Sequence, residues 1–162
     1  MIEQIINDAK NKCIDDIIMV GFIDIDEIAQ FYSDKRFLYF QIGEIYIEFA
    51  SIEQFSRLRI RTCDEIPFDY EIDEDMIRGK TSIAELILND SMSIGNSITS
   101  ASIYDLDRKN YTCAALELIL ENGQILFLDP SFYFGINIGD NRQKDIWKDN
   151  YLYIDSVDVH RI

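Results

Sequence analysis

Ile2, Ile5, Ile6, Ala9 and Cys13 recur at the spacing that lines one face of an α-helix. The first dozen residues therefore read as an amphipathic helix packed on a sheet. From Cys13 to Ile23 the pattern changes to an isoleucine-rich run, which predicts the first strand. Ile25, Ile28, Ala29 and Tyr32 return to helical spacing and predict a short second helix. Strands follow at Phe37 to Gly43, Ile45 to Ala50 and Arg57 to Thr62. The last connector between them opens Ser51-Ile52-Glu53-Gln54, a capping box that predicts one helical turn.

The strongest local signal is Leu116 to Leu128, two apolar runs separated by Asn122-Gly123. That pair suits a two-residue hairpin because both turn residues need positive φ. It would oppose Leu120 to Ile125 and Leu118 to Phe127, with Leu116 on the same apolar face. Upstream, Ser82-Ile83-Ala84-Glu85 is a second capping box, and Ile83, Leu86 and Ile87 continue a helical stripe. After Pro130 come a short strand at Phe134 to Ile138, a polar segment carrying Trp147, and an apolar stretch at Tyr151 to Val157. The expected fold is α+β: mainly antiparallel sheet built from hairpins, with an N-terminal helix and a helix near residues 83–90. With 162 residues and two prolines that mark no linker, residues 1–162 are expected to form one domain. Phe22-Ile23-Asp24-Ile25-Asp26 echoes Ile103-Tyr104-Asp105-Leu106-Asp107, a hint of internal duplication too short to build on.

Charge changes the picture. Thirty acids face 15 bases, a net −15, and a field of that sign repels nucleic acid and anionic membrane. Neither is expected as a partner. The surplus either keeps the chain soluble or draws a basic protein. Cys13, Cys63 and Cys113 are odd in number and widely spaced, so neither a disulfide framework nor a zinc site is expected. The N-terminus meets Asp8 before its first lysine, the wrong order for a signal peptide. The longest apolar run, Ile17 to Ile23, is far short of the roughly 20 residues that span a bilayer. A cytoplasmic protein is expected.

Reactive constellations are missing from the pattern. His160 is the only histidine and stands third from the end, so no triad can be drawn except through a terminus. Gly79-Lys80-Thr81 resembles the end of a phosphate-binding loop, but Glu74 occupies the place of its first glycine. Asp24 with Asp26, and Asp105 with Asp107, are acidic pairs without a calcium-loop pattern. Asp8-Ala9-Lys10 has a nuclease-like spacing but falls on the predicted helix. No cofactor, no metal and no catalysis are expected.

Two charged features remain. Arg57, Arg59 and Arg61 alternate with Leu58 and Ile60, so their guanidinium groups share one strand face. They would hold a phosphate, or pair across the sheet with Glu44 and Glu48. Asp64, Glu65, Asp69, Glu71, Asp73, Glu74 and Asp75 place seven acids within twelve residues. Interleaved Ile66, Phe68, Tyr70 and Ile72 make this segment either a solvated, half-buried strand or a contact surface with aromatic anchors ringed by charge. Asp64, Glu65, Phe68, Asp69, Tyr70, Glu71, Asp73, Glu74 and Asp75 are accordingly the candidate partner-binding residues.

The apolar-acidic hairpin from Leu116 to Asp129, followed by Phe134-Gly135-Ile136-Asn137-Ile138-Gly139 and a late Trp147, resembles the immunity proteins of bacterial contact-dependent growth-inhibition and related polymorphic toxin systems. The resemblance covers about half the chain and assigns no residue a role. It implies a cytoplasmic protein that binds a cognate, often basic, toxin domain and blocks its active site or substrate access. A nucleic-acid mimic that fills the cleft of a host or phage enzyme is an alternative. A small-molecule sensor or enzyme using Arg57, Arg59 or Arg61 is another.

Overall fold

The computed structural model describes residues 1–26, 28–90, 93–132 and 135–162. Strands β1 (Asp16–Asp24), β2 (Gln30–Ile42), β3 (Ile45–Ile52), β4 (Arg57–Cys63), β5 (Met76–Ser82) and β7 (Thr112–Cys113) form one sheet, in the order β5-β1-β2-β3-β4-β7. Strands β6 (Ile98–Tyr104), β8 (Ala115–Leu120), β9 (Ile125–Phe132), β10 (Gly135–Gly139) and β11 (Val159–Arg161) form a second, in the order β10-β9-β8-β6-β11. Every pairing is antiparallel. With helices α1 (Ile2–Ala9), α2 (Ala84–Ile87) and α3 (Asn141–Asn150), the fold is α+β and mainly sheet.

The period of two along each strand explains the layering. Ile17, Leu38, Phe40, Phe49 and Leu58 from the first sheet meet Ile103, Leu116, Leu118 and Leu128 from the second in one buried cluster. The apolar face of α1, Ile2, Ile6 and Ala9, joins it. The chain changes sheet at Ala114, whose N–H donates to the Tyr104 carbonyl. Thr112 to Leu120 is therefore one strand bent at a corner, a common device where two sheets meet.

The core arrangement matches the sequence pattern, and several details do not. The first strand starts at Asp16 rather than Cys13, which instead bridges to Ser97. Among the described residues no helix forms at 25–32: Gln30 already opens β2, and Ile25, Ile28 and Tyr32 are exposed, so the helical stripe has nothing to bury. Glu27 lies outside the described residues. Ser51 ends in β3 with its hydroxyl donating to the Pro130 carbonyl, 2.7 Å, so it caps nothing. Glu53, Gln54 and Phe55 then run at φ 51°, 57° and 64°, a left-handed turn that a capping box does not specify.

The hairpin at 122–123 is offset by one residue. Leu118 faces Leu126 and Glu117 faces Phe127, because the loop holds three residues, Glu121, Asn122 and Gly123. Gly123 sits at φ 84° as the left-handed residue of such a loop. Glu121 and Asn122 donate backbone N–H groups to Ser97 and Gly95, so the turn is fixed by tertiary bonds. The slip moves Phe127 off the main core and under Trp147. The helix near 83–90 is only the single turn Ala84–Ile87, entered from Ile83, while Ser82 stays in β5 and donates to Asp16. The strand foreseen from Phe134 is Gly135–Gly139, and Phe134 itself is outside the described residues. The segment around Trp147 is α3, capped by the Asp140 carboxylate on the Arg142 N–H.

Candidate functional site

The outer face of the first sheet, turned away from the second, carries the charged features. On β3 and β4 the register sets Glu48 opposite Arg61 and Ala50 opposite Arg59. The Glu48 carboxylate is fully buried, ion-paired with Arg61 (Nε at 2.6 Å), and accepts hydrogen bonds from Arg61 Nη2 at 3.0 Å and Arg59 Nη2 at 3.1 Å. The Tyr39 hydroxyl donates to the same carboxylate at 2.9 Å. Burial, and then the adjacent Glu48 charge, push the Tyr39 hydroxyl well above its ordinary range. Of the two predicted acidic partners, only Glu48 serves. Glu44 lies in the β2–β3 turn, and Arg57 turns instead to Asp105 at 2.6 Å. Tyr151 also donates to Asp105, and that hydrogen bond, together with Arg57, holds the Asp105 carboxyl below its usual range.

Each of the three arginines thus already holds a carboxylate. Asp107 likewise accepts N–H groups from Lys109 and Asn110 in its own turn. Among the described residues there is no group of three or more side chains placed to hold a metal ion. His160 is not in a frayed end, since β11 pairs it with Ile103.

The acidic segment runs from the end of β4 to the start of β5 across this outer face. Ile66 and Tyr70 are each 8% exposed and pack with Ile18, Val20 and Tyr39. The Tyr70 hydroxyl donates to the Gly21 carbonyl, and its own carbonyl accepts from Arg78 Nη2 at 2.8 Å. Phe68 is half-buried beside the Tyr70 ring, 6.4 Å between centroids. Asp64, Glu65, Asp69, Glu71, Asp73, Glu74 and Asp75 are all exposed. Among the described residues none of these seven is in an ion pair. The aromatic positions therefore pin the segment to the sheet, and the carboxylates are what it presents.

The segment ends at a feature the sequence reading missed. Between Met19 and Gly21 the β1–β2 register jumps, so that Leu38 opposes Met19 and Ser33 opposes Gly21. Residues 34–37 of β2 bulge there, closed by Asp34 on the Arg36 N–H and guanidinium. Beyond the bulge, 21–24, 30–33 and 76–79 continue as a three-stranded arm. Gly21 lets the strands close, since a Cβ there would collide with the Tyr32 carbonyl. Phe22 stacks on Tyr32 at 5.3 Å on one side of the arm. Asp24 and Asp26 lie at its end beside Asp75, and the charges of Asp75 and then Asp24 raise the Asp26 carboxyl above its ordinary range. The signal was present in Phe22-Ile23-Asp24 and Gln30-Phe31-Tyr32, but helical spacing at 25–32 masked it.

A separate cleft of about 210 Å³, lined by Phe55, Ser131, Trp147, Tyr151 and Tyr153, carries no charged group. Among the described residues no helix is long and apolar enough to cross a membrane. No protein-family model, no curated protein and no solved structure matches the chain.

Proposed function

We propose that this is a cytoplasmic protein-binding inhibitor, of the immunity-protein kind, that neutralises a cognate basic toxin by covering its active site or the approach of its substrate. The observation that supports this reading is the division of labour within residues 64–75. Buried Ile66 and Tyr70 fix the segment, and seven carboxylates are left exposed and outside ion pairs. Stability alone does not call for unpaired charge at that density, because like charges held together cost the free protein. A nuclease holds phosphates with a positive surface, and an anionic partner meets such a surface with steered association.

Co-expression with the polypeptide encoded beside this gene tests the reading. Protection from that polypeptide, and an association rate that falls steeply with added salt, are expected. Neutralising Asp64, Glu65, Asp69 and Glu71 together to their amides should slow association by about tenfold without unfolding the protein. A neighbour with no toxicity, or a toxic neighbour against which the protein gives no protection, defeats the proposal. Nucleic-acid mimicry would call for carboxylates at phosphate-like intervals over one broad surface, and the concentration at 64–75 and the arm speaks for a local contact. The sensor alternative calls for a deep pocket holding Arg57, Arg59 or Arg61 with carboxylates; Arg57 lines an open cleft with Asp105 and Asp107, and the three arginines are each ion-paired.

A further inference from the structure

Cross-strand pairing in the arm sets Ile77 beside Ile23, and Ile23 beside Phe31. Counting by twos along β1, this row lies on the side that carries Ile17 and Met19 into the main core. In the next row a Cβ on Gly79 would stand 3.1 Å from Ile23 Cδ1 and 3.7 Å from the Phe31 ring, so both side chains lie over its bare backbone. Yet among the described residues Ile23, Phe31 and Ile77 join none of the buried clusters. Ile77 and Ile25 keep 52% and 51% of their surface. The core-facing side of the sheet thus continues past the core as an apolar row in which Ile23 and Phe31 are half-buried and Ile77 is exposed.

Its rim is anionic. Asp75, two residues before Ile77, falls on the same side as that row, with the Asp26 carboxylate beside it, whereas Asp24, one residue after Ile23, falls on the other side. Mutual repulsion of these carboxylates, which raises the Asp26 carboxyl, is relieved by an incoming cation. An isologous contact with a second copy would bring two such rims together in a chain of net charge −15, so self-association is the wrong occupant.

The geometry points to the arm as the docking surface for a cationic protein: an apolar cluster on that partner seats on Ile23, Phe31 and Ile77, and lysine or arginine side chains flanking the cluster meet Asp26 and Asp75. This rests on the reading of the protein as an inhibitor of a basic partner and adds the contact face and the partner's surface chemistry. An apolar centre inside a matched charged rim is the arrangement in which a few buried side chains carry most of the binding energy.

Two short synthetic peptides of equal charge test it, one alternating lysine with leucine and the other lysine with serine, each titrated against the labelled protein by amide NMR. The leucine peptide should shift resonances at 22–24, 30–32 and 76–79 and bind about tenfold more tightly than the serine peptide. Ile77→Ser should reduce that preference to about twofold or less. Asp26→Asn combined with Asp75→Asn should remove most of the salt dependence. Ile77 is half exposed, so the variant should fold, and unchanged spectra outside the arm verify this. Equal binding of the two peptides, shifts centred on 64–71, or an unaltered preference in Ile77→Ser overturns the proposal. Arm binding without protection in co-expression would retire the toxin and keep the docking surface. Protection that survives Ile77→Ser would do the reverse.

Discussion

Around α3 polar groups are closed into partners, whereas along residues 64–75 and the arm they are left open. Asp129, 2% exposed, accepts Gln143 Nε2 at 2.7 Å and the Ser131 hydroxyl at 2.6 Å, while Gln143 Oε1 accepts Asn137 Nδ2 at 2.6 Å. Lys144 meets Glu117 at 2.6 Å, and Arg57 and Tyr151 both bond the Asp105 carboxylate. Trp147 fills the space between, stacked on Tyr151 at 4.8 Å and edge-on to Tyr104 at 5.1 Å. A region built this way satisfies its buried polar groups and fixes one structure. The arm and the acidic segment do the opposite with the same residue types: among the described residues their carboxylates stay outside ion pairs, and Ile25 and Ile77 stay exposed. One region is organised around its own interior, and the other is complete only with something brought to it.

The largest effect should come from breaking the closed region. Trp147 is 3% exposed, and Trp147→Ala should cost about 4 kcal/mol through lost burial and a cavity between α3 and the second sheet. Urea unfolding reads this directly. A loss under about 1 kcal/mol would mean that the α3 end is not a packed unit, and the contrast between the regions would go with it.

Sequence pattern exposed the closed region poorly and the open one in part, for physical reasons. α3 reads as polar because only Gln143 and Trp147 of its ten residues are buried, so a docking helix held by one aromatic residue and one amide leaves almost no hydrophobic periodicity. The Asn122-Gly123 turn was legible, but its register was not, since the third loop residue, Glu121, is held by Ser97 and Asn122 by Gly95, neighbours that no local pattern names. In the acidic segment, alternation correctly marked Ile66 and Tyr70 as anchors without telling whether they face the sheet or a partner. The false helix at 25–32 has the complementary cause: apolar residues meant for no core still have a spacing. Cross-strand Glu48 with Arg59 and Arg61 was legible because strand alternation and charge sign suffice to find it.

A smaller effect should follow at the anchor of the open region. Tyr70→Phe removes the hydroxyl donated to Gly21 but keeps the ring, so about 1 kcal/mol is expected. Amide exchange should quicken selectively in 64–75, while α3 and the second sheet are unchanged. If exchange instead rises throughout, the segment is part of the global core and not a surface element pinned to it.

The smallest effects sharpen the comparison most, because they should have opposite signs. In the closed region Asp105 has its carboxyl lowered by Tyr151 and Arg57. Its contribution is therefore complete above the unfolded value of about 3.9 and is lost as pH falls through that value toward the folded one. In the open region Asp26 is raised by Asp75 and Asp24. Its contribution is complete below the same unfolded value and is lost as pH rises through the folded one, so at neutral pH its charge is a net cost. Asp105→Asn should then lower the urea midpoint at pH 7, with the deficit shrinking in acid. Asp26→Asn should raise the midpoint at pH 7, with no gain near pH 3. Salt near 0.5 M should cancel the Asp26 gain, because exposed charges are screened, and should leave most of the hydrogen-bonded Asp105 effect. Shifts of one sign at both sites would erase the distinction. Opposite signs would mean that the arm carries a charge its own fold is better off without, which is the trade expected of a residue kept for binding.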